Sequence, residues 1–514
     1  MAKKEIVNNK EDKSVLKAKK EQEKLARKQN RQQKLLISKQ EALQKKEQKQ
    51  QAKQEKVDAK NQKKESKAKM RAQKKERRQQ KRRELAAKII EKNKVVDWMN
   101  LDNAGTIYPS INEEHWNFVV RVSATLKNPV NPEVLQKAVD QTMPRFPSFN
   151  VRLKSGVFWN YFEQKNTFPV VKEEKKFPCA RIDLKNPKKH VLRVVYYRNR
   201  VSVEVFHGVA DGRGVLTFFN TILRRYFVLL GEEVEGFNGA LNSLDKPKLE
   251  EISDAFVEYY NTDKKLPHKE VKAYKIKGTE EEFGVNNTTI GKLSVKEVKT
   301  LAKSKGCTIT EFLTAVMAFS ILKKYKNIKR PVKVSVPIDL RSFFPSETLR
   351  NFSGYKNVEV YARKTPYELD EVIEIVKEQF ATIDKEFLSG FINSNAGLHR
   401  NWAIKIVPLF IKSLVMKLCF KFWGESYQTL ALSNLGLVKA PTGFENLIYD
   451  YSVNLGRPKY NAKGLGIVSF GDVMTCTFSS KIREMTIEKM FFTTLSDLGL
   501  SVTIESNRRD LYGE

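Results

Sequence analysis

The aromatic residues of this chain are confined to one part of it. All 30 Phe, 17 Tyr and 5 Trp residues of the 514 lie after residue 97. Residues 1–94 also contain no Gly and no Pro, and without large apolar side chains they cannot bury a sizeable core. A body of the remaining length favours two cores over one. The sequence therefore predicts an arm over residues 1–94, an N-terminal lobe over 95–275 and a C-terminal lobe over 276–514.

The arm is strongly basic. It carries 34 Lys+Arg against 13 Asp+Glu, which gives +21 of the net charge of +34. Lys, Gln, Glu and Ala favour helix, but the few apolar residues keep no heptad spacing, so we expect a solvated helix or a disordered tail. The densest basic run, residues 71–83, suits an anionic membrane surface or RNA through charge alone, because no aromatic side chain is present for base stacking.

The cysteines indicate a reducing compartment. Cys179, Cys307, Cys419 and Cys476 are scattered and form no CxxC pair, so neither a metal site nor a disulfide framework is predicted. The N-terminus lacks an apolar signal-like core, and no uncharged apolar stretch of about 18 residues appears. We expect a cytoplasmic monomer, at most peripheral at the inner membrane surface.

Strand and helix patterns alternate along the body. Asn131 and Pro132 predict the start of a helix, and residues 191–206 predict a hairpin with the loop Arg198–Arg200. A helix follows over residues 214–230 and ends at Gly231. The body therefore predicts an α+β fold of two similar layered lobes.

The sharpest motif lies where the hairpin meets that helix. His207 and Asp211 are four residues apart, and Gly212 follows at the strand-to-helix corner. Such a corner can hold an imidazole at the lip of a cleft, where a general base accepts a proton near neutral pH. Asp211 is expected to fix this loop through the helix N-terminus or a cation, and Gly212 to permit the tight turn. The alternative is a capping Asp beside an unrelated loop His.

The sequence lacks two signatures of an enzyme that forms a covalent acyl intermediate. No Gly-x-Ser-x-Gly nucleophile motif is present, and no Cys lies near His207 in sequence. Direct transfer from an activated acyl donor therefore fits better than a covalent acyl-enzyme.

The body resembles the CoA-dependent acyltransferase superfamily with its HxxxDG motif, and most of all the alcohol acetyltransferase-like branch. The resemblance spans residues 98–510 or so and rests on features in a fixed order, namely residues 116–146, Phe206–Gly214, Thr308–Ala315, Val336–Arg341 with Asn351 and Gly354, and Ser433–Gly436. The resemblance implies two chloramphenicol-acetyltransferase-like α/β sandwich lobes with a tunnel between them.

The resemblance also implies a mechanism and its residues. His207 is the expected base, acyl-CoA the co-substrate, and an alcohol, amine or lipid-like molecule the acceptor, with no bound cofactor. By analogy with the superfamily, Arg341 is expected to pair with Asp211. Ser433 and Asn434 are the candidates for stabilising the oxyanion or contacting substrate.

Two other readings stay open. Condensation domains carry two adjacent histidines, and Phe206 replaces the first of them, which weakens a carrier-protein-dependent condensation without removing it. The body could also be an inactive scaffold that the arm tethers to membrane or RNA.

Residues 402–423 form an apolar segment that we expect to be a core or tunnel-wall helix. Its four lysines lie on about half the helical wheel, so the alternative is a helix at a membrane interface.

Overall fold

The structure, a computed structural model, describes residues 97–111, 117–261, 270–282, 284–400, 402–457 and 461–508, and eleven single positions between 19 and 77. The chain forms two units, residues 1–88 and 89–514. The positions described in the first unit are helical and exposed, and most of the basic run at 71–83 lies outside the described residues.

Three sheets organise the described part of the second unit. Their strands are β1 (Trp98–Asn100), β2 (Val119–Leu126), β3 (Val151–Ser155), β4 (Asn160–Gln164), β5 (Lys172–Glu173), β6 (Leu192–Tyr197), β7 (Arg200–Phe206), β8 (Asn287–Ser294), β9 (Val332–Asp339), β10 (Ser353–Val360), β11 (Leu430–Leu437), β12 (Ile448–Asn454), β13 (Lys463–Phe470), β14 (Val473–Ser480) and β15 (Thr503–Ser506).

Helices cover these sheets. They are α1 (Ile107–Ile111), α2 (Pro132–Thr142), α3 (Gly212–Leu230), α4 (Ala255–Glu258), α5 (Val295–Ser304), α6 (Ile309–Lys324), α7 (Leu369–Phe380), α8 (Lys385–Arg400), α9 (Trp402–Ile406), α10 (Leu409–Trp423), α11 (Phe444–Leu447) and α12 (Thr486–Asp497).

The N-terminal lobe is built on a five-stranded sheet in the order β12-β2-β7-β6-β5. Helices α2 and α3 pack against each other, and α3 also contacts β2 and β7. The Asn131 side chain caps α2, accepting from the backbone N–H groups of Glu133 and Val134, with Pro132 at the first turn as predicted. The buried face of α2 includes Leu135 and Val139, because apolar residues recur at helical spacing.

The C-terminal lobe is built on a seven-stranded sheet in the order β10-β9-β11-β13-β14-β8-β15. Helix α6 packs against α7, α12 and β9. Thr308 and Glu311 form a capping box at its start, in which each side chain accepts from the other residue's backbone N–H. The α+β architecture of two sheet-and-helix lobes agrees with the sequence.

Strand β12 belongs to the N-terminal sheet, although its neighbours in sequence belong to the C-terminal lobe. β12 follows most of the C-terminal lobe in the chain, yet it pairs antiparallel with β2 at the edge of the N-terminal sheet. Its Tyr451 is fully buried in the N-terminal core, where the hydroxyl donates to Asn220 Oδ1 at 3.0 Å. The division at residue 275 thus has an exception, since residues 448–454 complete the first lobe.

The hairpin differs from its prediction in the loop. Tyr197 pairs with Arg200, so the loop has two residues rather than three. Arg198 takes the left-handed conformation, with φ of 52°, although Asn adopts this conformation more readily than Arg. The reason is tertiary, because Asn199 is held against β2 by hydrogen bonds in both directions with the Leu126 backbone, each 2.7 Å.

The apolar segment at 402–423 is not one core helix. It breaks into α9 and α10 at Pro408, which has no N–H for an intrahelical bond, and much of α10 is exposed. Across the described residues, no single helix combines the length and hydropathy of a membrane span; the pair α5 and α6 reaches that threshold only jointly, with a bend of 82°.

Candidate active site

His207 follows directly on β7, at the corner predicted from the sequence. Its backbone N–H donates to the carbonyl oxygen of Phe118 at 2.7 Å, which continues the ladder in which Val119 pairs with Phe206. The sheet therefore fixes the backbone of His207, and the side chain reaches the cavity described below.

The imidazole is held by a relay of two further residues. Nδ1 of His207 lies 3.0 Å from Oδ1 of Asn351. The Asn351 side-chain amide donates to Asp102 at 3.0 Å, and its backbone N–H donates to the same carboxylate at 3.2 Å. Because a carboxylate accepts and cannot donate, the NH₂ group of Asn351 must face Asp102 and its oxygen must face the ring. Nδ1 therefore carries the proton, and Nε2 keeps the lone pair.

Asp102 is fully buried. Burial raises the pKa of its carboxyl group, while the Arg350 guanidinium and the hydrogen bonds from Asn351 and Gly105 act in the opposite direction. Asp102 accepts from the Gly105 backbone N–H at 2.5 Å, and Arg350 Nε lies 3.5 Å from Oδ2. These donors satisfy a carboxylate that would otherwise be costly to bury.

An aromatic ring supports the imidazole on its face. Tyr108, on α1, stacks on His207 with ring centroids 4.9 Å apart and an angle of 25° between the planes. Burial, and then the nearby charges of Asp102 and Asp211, raise the pKa of Tyr108 well above its usual value. The ring thus limits rotation of the imidazole without adding a titratable charge near neutral pH.

Asp211 joins the two lobes rather than contacting the imidazole. Its Oδ1 accepts from the Gly214 backbone N–H at 3.1 Å and caps α3. Its Oδ2 accepts from Arg341 Nη1 and from the Phe352 backbone N–H, both at 2.8 Å. The predicted pairing with Arg341 is therefore present, and Asp211 acts on His207 indirectly, through the loop between them and through Phe352, the neighbour of Asn351.

Arg341 is buried and donates hydrogen bonds from all three nitrogens of its guanidinium group. Its guanidinium donates to the carbonyl oxygens of Thr348 at 2.9 Å and Arg350 at 2.7 Å. Burial opposes its charge, but the carboxylates of Asp211 and Asp339 hold its pKa above the usual value. The side chain shapes the loop that carries Asn351, so the C-terminal lobe positions the partner of His207.

The two glycines beside the motif meet different neighbours. A Cβ on Gly214 would lie 1.9 Å from the Leu349 carbonyl oxygen, whereas a Cβ on Gly212 would lie 2.6 Å from a methyl group of Leu435. A backbone carbonyl cannot move as a side-chain methyl can. Gly214 is therefore the more constrained position, although the sequence singled out Gly212 as support for the site.

A cavity of about 990 Å³ contains His207 and is lined by both lobes. β11 and β9 pair only at Leu430 with Val334 and Ala431 with Ser335. Beyond that point Ser433 and Pro337 both line the cavity, and Pro337 has no N–H with which to continue the ladder. Strands β9 and β11 therefore stop pairing at this point, which leaves open space in the C-terminal sheet next to the His207–Asp211 motif of the N-terminal lobe.

The two oxyanion candidates differ in their surroundings. Asn434 lines the cavity, but its Nδ2 donates to Thr310 Oγ1 at 3.0 Å and its Oδ1 accepts from the Gly436 backbone N–H at 2.9 Å. Its side chain therefore holds the irregular end of β11. Ser433 lines the same cavity.

The sequence missed Asp102, Tyr108 and the role of Asn351. Asn351 enters the sequence analysis only as a member of the ordered motif, whereas in the structure its side chain bridges Asp102 and His207. The signal for Asn351 was present only as its position after the Val336–Arg341 segment. Nothing local marks Asp102 or Tyr108, whose partners are distant in sequence.

Known proteins share this architecture. Residues 252–440 match the protein-family model described as alcohol acetyltransferase. Polyketide synthase associated protein 5 from Mycobacterium tuberculosis is similar with a TM-score of 0.54 at 13% identity, over 78% of this chain and 97% of that chain. Trichothecene 15-O-acetyltransferase from Fusarium sporotrichioides is similar with a TM-score of 0.50 at 11% identity, over 77% and 94%. A comparison with curated protein sequences finds no match.

The likeness to these two solved structures shows the two-lobed fold that the resemblance implied. The match to the alcohol acetyltransferase model is confined to residues 252–440, and it agrees with the branch that the motif order indicates. The fold and this partial match support an acyltransferase.

Proposed function

We propose that this protein transfers an acetyl or other acyl group from a CoA thioester to an alcohol or amine, with His207 as general base. The observation that carries the proposal is the His207–Asn351–Asp102 relay, which leaves Nε2 of an imidazole at the cavity as the proton acceptor. Such an arrangement is what general-base catalysis requires.

The proposed step needs no protein nucleophile. Nε2 of His207 takes the proton of the acceptor O–H or N–H, and the acceptor atom attacks the thioester carbonyl. The tetrahedral intermediate then collapses, the C–S bond breaks, and the imidazolium returns the proton to the CoA sulfur. We assign the Ser433 hydroxyl as a donor to the developing oxyanion, a contact that typically contributes about 3–4 kcal/mol when present.

The size of the cavity fits two substrates. Its volume of about 990 Å³ is at the upper end of ligand pockets, about 300–1,000 Å³. His207 and Gly212 from one lobe and Ser335 and Ser433 from the other border this space. A donor thioester and an acceptor can therefore meet at the imidazole, in keeping with the expected use of acyl-CoA as a free co-substrate.

The test is turnover with acetyl-CoA and a panel of alcohols and amines, followed by release of free thiol. We expect His207→Ala to abolish turnover while CoA binding persists. His190→Ala is the matched control, since His190 is only partly buried and its Nε2 lies 2.7 Å from the Thr167 carbonyl oxygen, outside the cavity. Unchanged turnover in His207→Ala would refute the assigned base.

A donor comparison tests the use of CoA. Purified protein receives the same acyl group on CoA and on the phosphopantetheine of a carrier protein. We expect faster transfer from CoA. A strict requirement for the carrier would instead support a carrier-protein-dependent condensation enzyme.

The cytoplasmic, monomeric state and the binding of the arm to membrane or RNA stay predictions.

A further inference from the structure

Helix α10 exposes an apolar face. The large side chains that point outward are Phe410, Ile411, Leu414, Val415, Leu418 and Phe422. At about 100° per residue they fall within about 140° of the helical wheel; Phe410 is 74% exposed and Leu414 is 60% exposed. We call these six side chains the apolar face of α10. A continuous exposed face of this kind marks an interaction surface.

The opposite side of α10 packs on the body. Ser413 Oγ lies 3.4 Å from Ser110 Oγ on α1, and the rings of Phe420 and Phe118 make an edge contact at 6.0 Å. The helix is therefore anchored through one side, and the outward orientation of the apolar face is fixed by that anchoring.

A second segment extends this surface. The Leu409 backbone N–H donates to the Val157 carbonyl oxygen at 2.8 Å, and Lys412 Nζ donates to the Phe158 carbonyl oxygen at 3.0 Å. The side chains of Val157 and Phe158 are themselves exposed. Two separate parts of the chain thus present large apolar side chains next to each other.

The segment that carries the apolar face has charged residues of one sign. Residues 387–424 contain no Asp or Glu, and their basic residues are Arg400, Lys405, Lys412, Lys417 and Lys421. Lys405 and Lys417 are exposed. An amphipathic helix with aromatic and aliphatic residues on one side and the exposed Lys417 at the border of that side fits the interface of an anionic bilayer. A second copy of the chain would bring two basic surfaces together, which is unfavourable.

We propose that the apolar face of α10, with Val157 and Phe158, docks on an anionic phospholipid membrane. The apolar side chains enter the headgroup–acyl boundary, and the exposed Lys405 and Lys417 meet lipid phosphates. This goes beyond acyl transfer, because it assigns a surface and a partner that the reaction does not require.

Docking has a consequence for the acceptor, and this step rests on the proposed function. Phe420 lines the cavity and contacts Phe118, whose ring lies 5.0 Å from that of Tyr108, the residue stacked on His207. The membrane and the imidazole would therefore be on opposite sides of one helix. An apolar, membrane-dissolved alcohol is the acceptor class that this arrangement favours.

The docking test is flotation of the full chain with two kinds of vesicle, phosphatidylcholine alone and two parts phosphatidylcholine to one part phosphatidylglycerol. Binding is measured in low salt and at about 1 M salt, where a Debye length of about 3 Å screens the charge of the arm. We expect Phe410→Asp with Leu414→Asp to lower binding to the mixed vesicles in high salt at least about tenfold.

Leu244→Asp is the matched control, since Leu244 is 68% exposed and lies elsewhere; it should bind as the wild type does. Absence of wild-type binding in high salt, or equal binding by the double variant, would overturn the proposal. So would a wild-type dimer in light scattering that the double variant dissociates, which would assign the face to a second copy.

The acceptor step has its own measurement. The double variant should acylate butanol at the wild-type rate and a long-chain alcohol dissolved in the vesicles more slowly. Equal loss on both alcohols would contradict the acceptor class, whereas no wild-type turnover on either would count against the proposed function and leave the flotation result standing.

Discussion

Asn351 accepts a hydrogen bond from Nδ1 of His207 at 3.0 Å, across the boundary between the two lobes. The orientation of its amide is dictated by Asp102, which can only accept. A residue of the C-terminal lobe thus selects the tautomer of a base in the N-terminal lobe. Asn351 and Asp102 are positioning residues, because they act on the reaction through the imidazole.

Replacing Asn351 tests this relay. Asn351→Ala leaves Nδ1 without its acceptor, so Tyr108 alone restrains the ring and both tautomers become populated; we expect kcat to fall by up to about 100-fold with KM little changed. Initial rates over a range of acceptor concentrations and pH provide the measurement. Asn395→Ala is the control, because Asn395 also lines the cavity but donates to the Phe391 carbonyl oxygen on its own helix. Equal losses in both variants would remove the positioning role.

The buried pair of Asp211 and Arg341 predicts a stability effect. Asp211→Ala leaves a buried guanidinium with one carboxylate fewer and removes the cap of α3, so unfolding should require about 3 kcal/mol less free energy. Urea denaturation measures this change. The surface pair of Lys377 and Glu374 is the control, and Glu374→Gln should leave the urea midpoint unchanged. The double variant with Asp211→Ala and Arg341→Met should lose less free energy of unfolding than the two single variants lose together.

The two glycines of the motif should respond differently to alanine. In Gly214→Ala the new methyl meets the Leu349 carbonyl oxygen, and the loop must shift together with the neighbouring carbonyls that Arg341 binds. We expect a loss of about 2 kcal/mol and lower activity. Gly212→Ala displaces only a methyl group of Leu435 and should cost less. Thermal unfolding and turnover of the two variants, side by side, decide whether this order is correct.

Asp254 predicts a pH-dependent change in stability. Burial, and then the charge of Asp102, raise the pKa of its carboxyl group from 3.8 to about 6. Since the folded pKa exceeds the unfolded value, the protonated form favours the folded state, and this contribution is lost as pH rises through about 6. The urea midpoint of the wild type relative to Asp254→Asn should therefore fall between about pH 4 and pH 6.

Asp472 serves as a control, because its contribution to stability depends on pH in the opposite direction. Its hydrogen bond from the Lys296 backbone N–H lowers the pKa of the carboxyl group. Its contribution is therefore present at neutral pH and lost as pH falls. A constant difference between the wild type and Asp254→Asn over the whole range would contradict the assignment for Asp254.

The predictable parts of the fold are local. The cap of α2 by Asn131, the end of α3 at Gly231 and the strand before His207 follow from neighbours in sequence, and the structure has all three. The relay is different, because Asp102 and Asn351 are 249 residues apart and each occurs in a segment that resembles an ordinary turn. Only the packing of one lobe on the other brings them to His207.

The pairing of β12 with β2 constrains how the protein is made. A ribosome completes the other strands of the N-terminal sheet long before it reaches residues 448–454, and until then β2 is an unprotected edge. The first lobe must therefore wait for nearly the whole polypeptide before it closes, which raises the contact order and the exposure to misassembly during synthesis. A fragment that ends at residue 275 is accordingly an incomplete sheet rather than an independent folding unit.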